Sequence, residues 1–213
     1  QGYGMSELSP VSHAMPYSRD DIPVSSVGTI LPNITCKLVD TETGEEITEI
    51  GDDGQTRAGE LWVKGPNVML GYLNKPDATA ETLDADGYLH TGDVAVYHEG
   101  GYFSIVERVK ELIKYHGYQI APAELEALLL SHPKVMDAAV IGVLDDEREE
   151  IPKAFIVAAP DSGLTEDEVK AFVAENVAPY KKVRRVEFVD QIPKSTSGKI
   201  LRKDLRAREA AAA

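Results

Sequence analysis

The stretch "KELIKYHGYQIAPAELEALL", residues 110–129, contains a turn followed closely by the start of a helix. Gly117 indicates the turn, and Pro122 stands where the first position of a helix tolerates proline. The helix is predicted to end before Pro133. Apolar residues repeat at helical spacing at Leu125, Leu128 and Leu129. A turn followed by a helix is therefore predicted for this stretch.

The residues that follow predict a second helix and two strands. "LTEDEVKAFVAENV", residues 164–177, has Thr165 and Glu168 at capping-box spacing, which predicts the start of a second helix. Its apolar face is Val169, Phe172, Val173 and Val177. Between the two helices, "VMDAAVIGVL" and "PKAFIVAA" read as buried strands. An α+β arrangement is predicted for residues 108–213.

Upstream, the pattern changes to short strands broken by glycines. "GELWVKGPNVMLGY", residues 59–72, alternates apolar and polar residues between glycine turns. We interpret residues 27–106 as a small all-β unit.

Charge also divides the chain near residue 107. The formal net charge is −14, and residues 1–107 hold 5 basic and 18 acidic residues, against 17 and 18 in residues 108–213. An acidic chain without a basic stripe is a poor partner for a phosphate backbone, so nucleic-acid binding is not expected. The late cations, at Lys181, Lys182, Arg184, Arg185 and from Lys194 to Arg208, are interpreted mainly as solvated.

Cysteine content and hydropathy indicate the compartment. Cys36 is the single cysteine and cannot form an intramolecular disulfide, and no run approaches the ~18 apolar residues of a membrane helix. A cytoplasmic protein without a membrane partner is expected. Gln1 occupies the first position in place of Met, so the sequence is expected to be a segment of a longer protein.

The segment "QIPKSTSGKILRKDL", residues 191–205, places Lys194 and Lys199 among prolines, serines and a glycine. It is either a solvated turn before a basic helix or a loop that carries a lysine to an anionic reaction centre. A phosphate-binding P-loop is excluded, because Pro193 stands where the first glycine is required and Ile200 replaces the required Ser or Thr.

Two further segments are candidates for binding a nucleotide. In "QGYGMSE", residues 1–7, the flanking glycines permit close approach to Tyr3, and Ser6 and Glu7 offer a hydroxyl and a carboxylate. In "GYLHTGD", residues 87–93, both carboxylate oxygens of Asp93 can accept ribose hydroxyls. Each segment taken alone is also consistent with a plain turn.

Together, "QGYGMSE", "GELWVKG", "GYLHTGD", "ERVKELIKYHGYQIAPAELEALL" and "PKSTSGKILRKDL" resemble, in order and approximate spacing, the adenylate-forming enzymes. Within them the chain is most similar to acyl-CoA synthetases of the 4-coumarate–CoA ligase type. The resemblance implies an acyl-CoA synthetase fold in which residues 1–106 end a large AMP-binding domain and include a β-barrel-like subdomain. Glu107 is the implied hinge, although aspartate is usual there, and residues 108–213 form a mobile α+β domain.

The resemblance also implies site residues for the adenylation step. Lys199 matches the lysine that reaches the bound carboxylate and the α-phosphate, and Glu7 matches a residue near the magnesium ion. Asp93 and Arg108 match the residues that hold the ribose. The implied nucleotide-binding set is Gln1, Gly2, Tyr3, Gly4, Ser6 (where threonine is usual), Asp93, Arg108, Lys110, Lys114 and Gln119.

Other positions match the sites for the acyl group and coenzyme A. Lys110, Lys114 and Gln119 match the residues that contact the acyl-adenylate in the thioester-forming arrangement of the family. His116 and Gly117 match the point where the pantetheine arm enters, although lysine is usual at His116. Pro10 and Val11 fall where acyl-pocket residues are found in relatives.

The implied activity is an ATP-dependent carboxylate–CoA ligase that uses magnesium, ATP and CoA and acts on an aromatic acid. The family's phosphate loop lies upstream of Gln1, so this chain is expected to need the missing N-terminal part and to be inactive alone. Three alternatives stay open: an adenylating enzyme with another acceptor, such as a luciferase or a carrier-protein-loading domain, a fatty acyl-CoA ligase, or a noncatalytic binding module.

Overall fold

The computed structural model describes residues 1–196 and 198–212. The chain divides into two compact units, Gln1–Lys110 and Glu111–Ala213. The hinge predicted at Glu107 stays a prediction. Glu107 itself is buried near the end of a strand of the first unit.

The first unit contains two antiparallel sheets. A three-stranded sheet consists of β1 (Gly2–Gly4), β2 (Val11–Ala14) and β3 (Thr29–Ile30). A five-stranded sheet has the order β5-β4-β6-β7-β8, made of β4 (Thr35–Val39), β5 (Glu46–Ile47), β6 (Gly59–Lys64), β7 (Leu89–His98) and β8 (Tyr102–Arg108). The end strands β5 and β8 do not pair with each other among the described residues, so the barrel-like form stays a prediction.

The all-β interpretation of residues 27–106 is wrong in one segment. A helix, α1, spans Pro76–Thr82 between β6 and β7. Pro76 occupies the first helical position, where its missing N–H costs nothing, and Asp77 favours the positive end of the helix dipole. At 7 residues the helix buries none of its side chains, which explains why no apolar periodicity indicated it.

Alternation along the strands builds the core of the first unit. In β6, Leu61 and Val63 are fully buried while Glu60 and Trp62 are half-buried on the other face, as the period of two in a strand requires. They pack in one cluster with Leu8, Leu38, Ile47, Leu89, Ala95 and Phe103.

The second unit mixes strands and helices, as predicted. Its elements are β9 (Ile113–Tyr115), β10 (Tyr118–Ile120), α2 (Pro122–Leu130), β11 (Val135–Leu144), β12 (Glu150–Ala158), α3 (Glu166–Asn176), β13 (Arg185–Phe188) and α4 (Arg202–Ala212). Strands β9 and β10 form a hairpin, and a second sheet has the order β11-β12-β13. The β12–β13 pair is parallel, with α3 as the crossover.

Both predicted helices of this unit are confirmed. Helix α2 begins at Pro122 and ends before Pro133. The N-cap of α3 is Thr165, whose hydroxyl accepts the Glu168 N–H at 3.2 Å, which is half of the capping box.

The sheet of the second unit is covered on both faces. Alternate residues of β11 belong to two clusters. Ala138 and Val140 pack with Leu125 and Leu129 of α2 and with Val169 and Val173 of α3. Ala139 and Ile141 pack with Phe155, Ile192 and Leu205, the last of which lies on α4. The chain segments on either side of Lys199 are therefore anchored in this second cluster.

The interpretation of the late cations as solvated is too simple. Arg202 is 14% exposed at its side chain, and its Nη2 lies 2.7 Å from Glu126 Oε2. Carboxylates of the second unit also pair with Lys181, Lys194, Arg206 and Arg208. No helix in the described ranges is long and apolar enough to cross a membrane, and the cytoplasmic location stays a prediction.

His13 of β2 predicts an acid-sensitive first unit. It is fully buried between Tyr3 and Phe103, and Ser12 Oγ lies 2.9 Å from Nδ1. Burial lowers the pKa of His13 to about 4. In the unfolded chain His13 takes up a proton near pH 6.5, whereas in the folded chain it does so only near pH 4. The free energy of unfolding therefore keeps its full value above about pH 6.5 and falls as the pH decreases towards 4.

Between pH 7 and pH 5, the free energy of unfolding is expected to drop by ~2 kcal/mol more in the wild type than in His13→Gln. Urea unfolding of both chains at the two pH values measures the difference. Equal pH dependence in both chains contradicts the assignment to His13.

Candidate functional site

Three residues that lie far apart in the sequence meet on the first unit. The Tyr3 hydroxyl donates to Asp93 Oδ2 at 2.6 Å, and Arg108 Nε lies 3.3 Å from Asp93 Oδ1. Tyr3 and Asp93 were predicted from residues 1–7 and 87–93, and the resemblance implied all three as nucleotide contacts. The structure therefore brings together an aromatic ring, a carboxylate and a guanidinium.

Strand pairing places the members of this cluster. Asp93 in β7 is directly opposite Arg108 at the end of β8. The Thr91 hydroxyl donates to the Leu61 carbonyl at 2.6 Å and accepts the Asp93 N–H at 3.2 Å. These two bonds of the buried Thr91 fix the backbone beside the Asp93 carboxylate. The plain-turn reading of "GYLHTGD" is wrong for Asp93, which lies inside a strand.

The segment around Tyr3 is a strand and not a turn. Tyr3 lies in β1 opposite His13 of β2, and the register shifts between Tyr3 and Gly4. A Cβ at Gly4 would lie 2.0 Å from the Pro10 carbonyl oxygen, so only glycine allows this approach. Burial, followed by the hydrogen bond to Asp93, raises the pKa of the Tyr3 phenol far above its usual range. Tyr3 is thus a neutral donor at physiological pH.

Glu7 lies in a short 3-10 turn, Ser6–Leu8, and is held by a residue that the sequence did not indicate. The Tyr72 hydroxyl donates to Glu7 Oε1 at 2.8 Å, and the Glu7 carbonyl accepts the Met69 N–H at 2.8 Å. No group of three or more potential metal ligands occurs in residues 1–196 and 198–212. One carboxylate fits magnesium, which is commonly bound by one or two carboxylates together with substrate phosphates.

The two predicted acyl-pocket residues line a shallow cleft. Pro10 and Val11 are exposed at the start of β2, and the cleft of about 340 Å³ also contains Leu31, Pro32 and Ile34. Asn67 fixes the backbone beneath it, since its amide donates to the carbonyls of Leu8 at 2.6 Å and Val11 at 3.0 Å. The walls are mostly apolar.

The other first-unit candidates lie around these groups. Gln1 and Ser6 are exposed, as are Gly2 and Gly4 of β1. Lys110 is exposed in a 3-10 turn, Val109–Glu111, that follows β8.

In the second unit, the hairpin β9–β10 carries four candidates. Lys114 and Gln119 are directly opposite each other. His116 and Gly117 occupy the two central positions of the turn, with φ of 48° and 80°. A two-residue hairpin turn with both φ positive favours glycine or asparagine, so His116 is an unusual occupant. Its Nδ1 lies 3.8 Å from Glu149 Oε2.

Lys199 is exposed in the loop that precedes α4. Its N–H donates to Ser195 Oγ at 3.2 Å, and its carbonyl accepts the Ser195 N–H at 2.8 Å. Gly198, immediately before Lys199, has a φ of 80°, in the left-handed region that favours glycine. Ser197, in the same segment, lies outside the described residues.

Two protein-family models match the chain. The model described as "AMP-binding enzyme" matches residues 1–73, and the model described as "AMP-binding enzyme C-terminal domain" matches residues 124–199. The first match covers the Tyr3 and Glu7 segments, and the second includes Lys199. The chain belongs to the adenylate-forming enzymes.

Curated relatives of this family member include 4-coumarate–CoA ligases. The chain is 49% identical to 4-coumarate–CoA ligase 5 of Oryza sativa subsp. japonica over 99% of its length and 39% of the relative. It is 50% identical to 4-coumarate–CoA ligase of Pinus taeda over 99% of the chain and 38% of the relative. The chain thus spans about two fifths of the length of these relatives.

Solved structures with similar folds are adenylate-forming enzymes too. ATP-bound MatB from Rhodopseudomonas palustris aligns with a TM-score of 0.85 at 33% identity, over 97% of this chain and 40% of that one. Anthranilate CoA ligase AuaEII in complex with anthranoyl-AMP aligns with 0.80 at 30%, over 100% and 40%. Amide bond synthetase McbA from Marinactinospora thermotolerans aligns with 0.80 at 30%, over 98% and 41%. The chain therefore has the acyl-CoA synthetase type of fold.

Replacing Tyr3 with Phe tests the Tyr3–Asp93 contact. Because Asp93 loses a donor in a half-buried place, Tyr3→Phe is expected to lower the free energy of unfolding by about 1 kcal/mol. Tyr17→Phe is the matched control, since the Tyr17 side chain is fully exposed, and is expected to stay within about 0.5 kcal/mol of the wild type. Denaturant unfolding measures the free energy of unfolding of both variants. Equal effects would mean that the Tyr3–Asp93 hydrogen bond does not contribute to stability.

Proposed function

We propose that this chain supplies the ribose-binding and lysine-bearing parts of an ATP-dependent carboxylate–CoA ligase, acting with an N-terminal part not present in these residues. The observation that carries the proposal is the contact of Tyr3, Asp93 and Arg108. Three residues that the resemblance implies for nucleotide binding, far apart in the sequence, meet within hydrogen-bonding or ion-pairing distance. The ATP-bound and anthranoyl-AMP-bound structures of similar enzymes support the same chemistry.

The Asp93 carboxylate has the capacity to hold both ribose hydroxyls. Each ionised carboxylate oxygen accepts more than one hydrogen bond, so the contacts to Tyr3 and Arg108 leave acceptor sites open. The Arg108 guanidinium, 3.3 Å from Asp93 Oδ1, orients the carboxylate. Tyr3 remains neutral and offers its ring face to the purine, next to the segment of Glu7.

Lys199 is proposed to act in adenylation. When bound, ATP and magnesium supply the adenylyl group and neutralise the pyrophosphate that leaves. The substrate carboxylate and the α-phosphate are both anions, and the Lys199 ammonium offsets their repulsion. Because negative charge builds on oxygen in the transition state, a cation held there stabilises that state more than the reactants.

The second half-reaction uses a different set of residues. Lys110, Lys114 and Gln119 are proposed to contact the acyl-adenylate while the thioester forms, and His116 and Gly117 to border the entry of CoA. Lys114 and Gln119 belong to the β9–β10 hairpin, whereas Lys199 belongs to the loop before α4. A pivot of the second unit at Glu107 would let the two sets alternate.

The proposed acid is aromatic, of the 4-coumarate type. The names of the relatives support this choice, and Pro10 and Val11 border a mostly apolar cleft. A fatty acid is the alternative within the CoA ligases.

One observation favours a different acceptor. The amide bond synthetase McbA is as similar to the chain as the anthranilate CoA ligase is, with a TM-score of 0.80 and 30% identity in both cases. An amine acceptor is therefore the second candidate function. Pyrophosphate exchange with thioester formation on addition of CoA supports the ligase, whereas exchange with transfer to amines but not to CoA supports this alternative.

Lys199→Ala, made in the longer enzyme that carries these residues, is expected to slow acyl-adenylate formation by about 100-fold or more, ~2.7 kcal/mol of transition-state stabilisation. Conversion of supplied acyl-adenylate and CoA to thioester is expected to change much less. Lys203→Ala removes an exposed lysine of α4 nearby and is the control. Equal losses in the two half-reactions contradict the role assigned to Lys199.

Asp93→Ala in the same enzyme is expected to weaken ATP binding by about tenfold or more, ~1.4 kcal/mol, because the ribose loses its acceptor. Calorimetric titration with ATP measures the affinity. Asp53→Ala is the control, since Asp53 is an exposed carboxylate of the same unit whose side chain bonds to Gln55 in its own turn. If Asp93→Ala binds ATP with unchanged affinity, the role of Asp93 is purely structural.

A further inference from the structure

The Lys199 loop is closed at its base by backbone contacts. The Leu201 N–H donates to the Pro193 carbonyl at 2.8 Å, and Lys194 and Ile200 form an antiparallel bridge. Together with the Ser195–Lys199 contacts, these bonds join the two sides of the loop. The position of Lys199 therefore follows the position of the loop base.

Two ion pairs hold that base, one on each side of Lys199. Lys194 Nζ lies 2.6 Å from Asp137 Oδ2. Arg202 Nη2 lies 2.7 Å from Glu126 Oε2, and Arg202 Nε lies 3.3 Å from Glu126 Oε1. The second pair is two-pronged and nearly buried, with side-chain exposures of 14% for Arg202 and 9% for Glu126. The first pair is more exposed, at 37% and 26%.

The two carboxylates are fixed in turn by the edge of the sheet. Strand β11 is the terminal strand of the β11-β12-β13 sheet, so alternate N–H groups along it have no strand partner within that sheet. Asp137 Oδ1 accepts the Ala138 N–H at 3.0 Å, and Glu126 Oε1 accepts the Val140 N–H at 2.9 Å. Each carboxylate therefore joins a backbone donor of β11 to a cation beside the loop.

We infer that Glu126 and Asp137 are positioning residues for Lys199, which transmit the fixed geometry of the β11 edge to the loop through Arg202 and Lys194. The inference rests on the proposed role of Lys199 in adenylation. Loss of the Glu126 pair is expected to cost more than loss of the Asp137 pair, because it is two-pronged and would leave Arg202 as an unpaired, nearly buried charge.

A clamp that only stabilises α4 predicts a different result. Loss of such a clamp lowers the stability of the second unit and impairs both half-reactions alike. A positioning role predicts selective loss of adenylation, because that step alone needs the Lys199 ammonium at a defined place. The split between the half-reactions therefore distinguishes the two roles.

Glu126→Gln is the main variant, because the amide oxygen can still accept the Val140 N–H while the charge that holds Arg202 is lost. In the longer enzyme we expect the kcat of pyrophosphate exchange to fall by about tenfold or more, with the KM for ATP and the thioester half-reaction changed by less than about twofold. Arg202→Lys keeps the charge without the fork and is expected to lose less.

Lys134→Gln is the matched control. It breaks the Lys134–Glu168 pair of the same unit, at 2.8 Å, which joins α3 to the segment before β11 and does not touch the loop. Both half-reactions of this variant are expected to stay within about twofold of the wild type. In the 213-residue chain, hydrogen exchange of the Leu201 amide is expected to speed up by about tenfold in Glu126→Gln and not in Lys134→Gln.

Each outcome decides one claim. A folded Glu126→Gln enzyme with wild-type exchange, or with equal losses in the two half-reactions, overturns the positioning role. If Glu126→Gln does not fold, Asp137→Asn, which removes the more exposed pair, decides by the same split. A wild-type enzyme without pyrophosphate exchange overturns the proposed function, and the Leu201 amide then tests the anchoring of the loop alone.

Discussion

The carboxylate of Glu126 joins three elements of the second unit. It accepts the Val140 N–H at the edge of the β11–β12–β13 sheet and pairs with Arg202 at the start of α4, 76 residues further along the chain. Because the group is nearly buried, leaving either partner alone would strand a charge or a backbone donor away from water. One carboxylate thus connects helix α2, strand β11 and helix α4, and the loop that carries Lys199 ends at Arg202.

Local signals in the sequence were sufficient for α2, α3, β11 and β12 of the second unit. Pro122 at the first helical position and the capping box at Thr165 each act within a few residues, so they predicted α2 and α3 correctly. The continuous apolar runs predicted β11 and β12 for the same reason: a sheet covered on both faces by packed side chains selects apolar residues at every position. Helix α1 was missed because it buries no side chain and therefore leaves no apolar period.

The site was predictable only as separate pieces. The resemblance named Tyr3, Asp93 and Arg108, but their meeting depends on strand register: β7 against β8, and a shifted pairing of β1 with β2. Tyr72 and Thr91 carried no signal, because the bond of Tyr72 to Glu7 and that of Thr91 to the Leu61 carbonyl join residues distant in sequence. The late cations were interpreted from composition as solvated, whereas their carboxylate partners lie on elements that only the folded chain brings near.

The free edge of β11 has a consequence for solubility. Its outward N–H groups at Ala138 and Val140 are satisfied by Asp137 and Glu126, and α4 lies over the same strand through Leu205. If α4 detaches, the face of β11 that carries Ala139 and Ile141 is exposed beside a sheet edge, and an exposed apolar edge strand favours pairing with other chains. Local opening of this single helix is then the route by which the chain would aggregate without unfolding as a whole. Asp137 and Glu126 would still occupy the Ala138 and Val140 N–H groups, so the carboxylates proposed to position Lys199 also limit pairing at this edge.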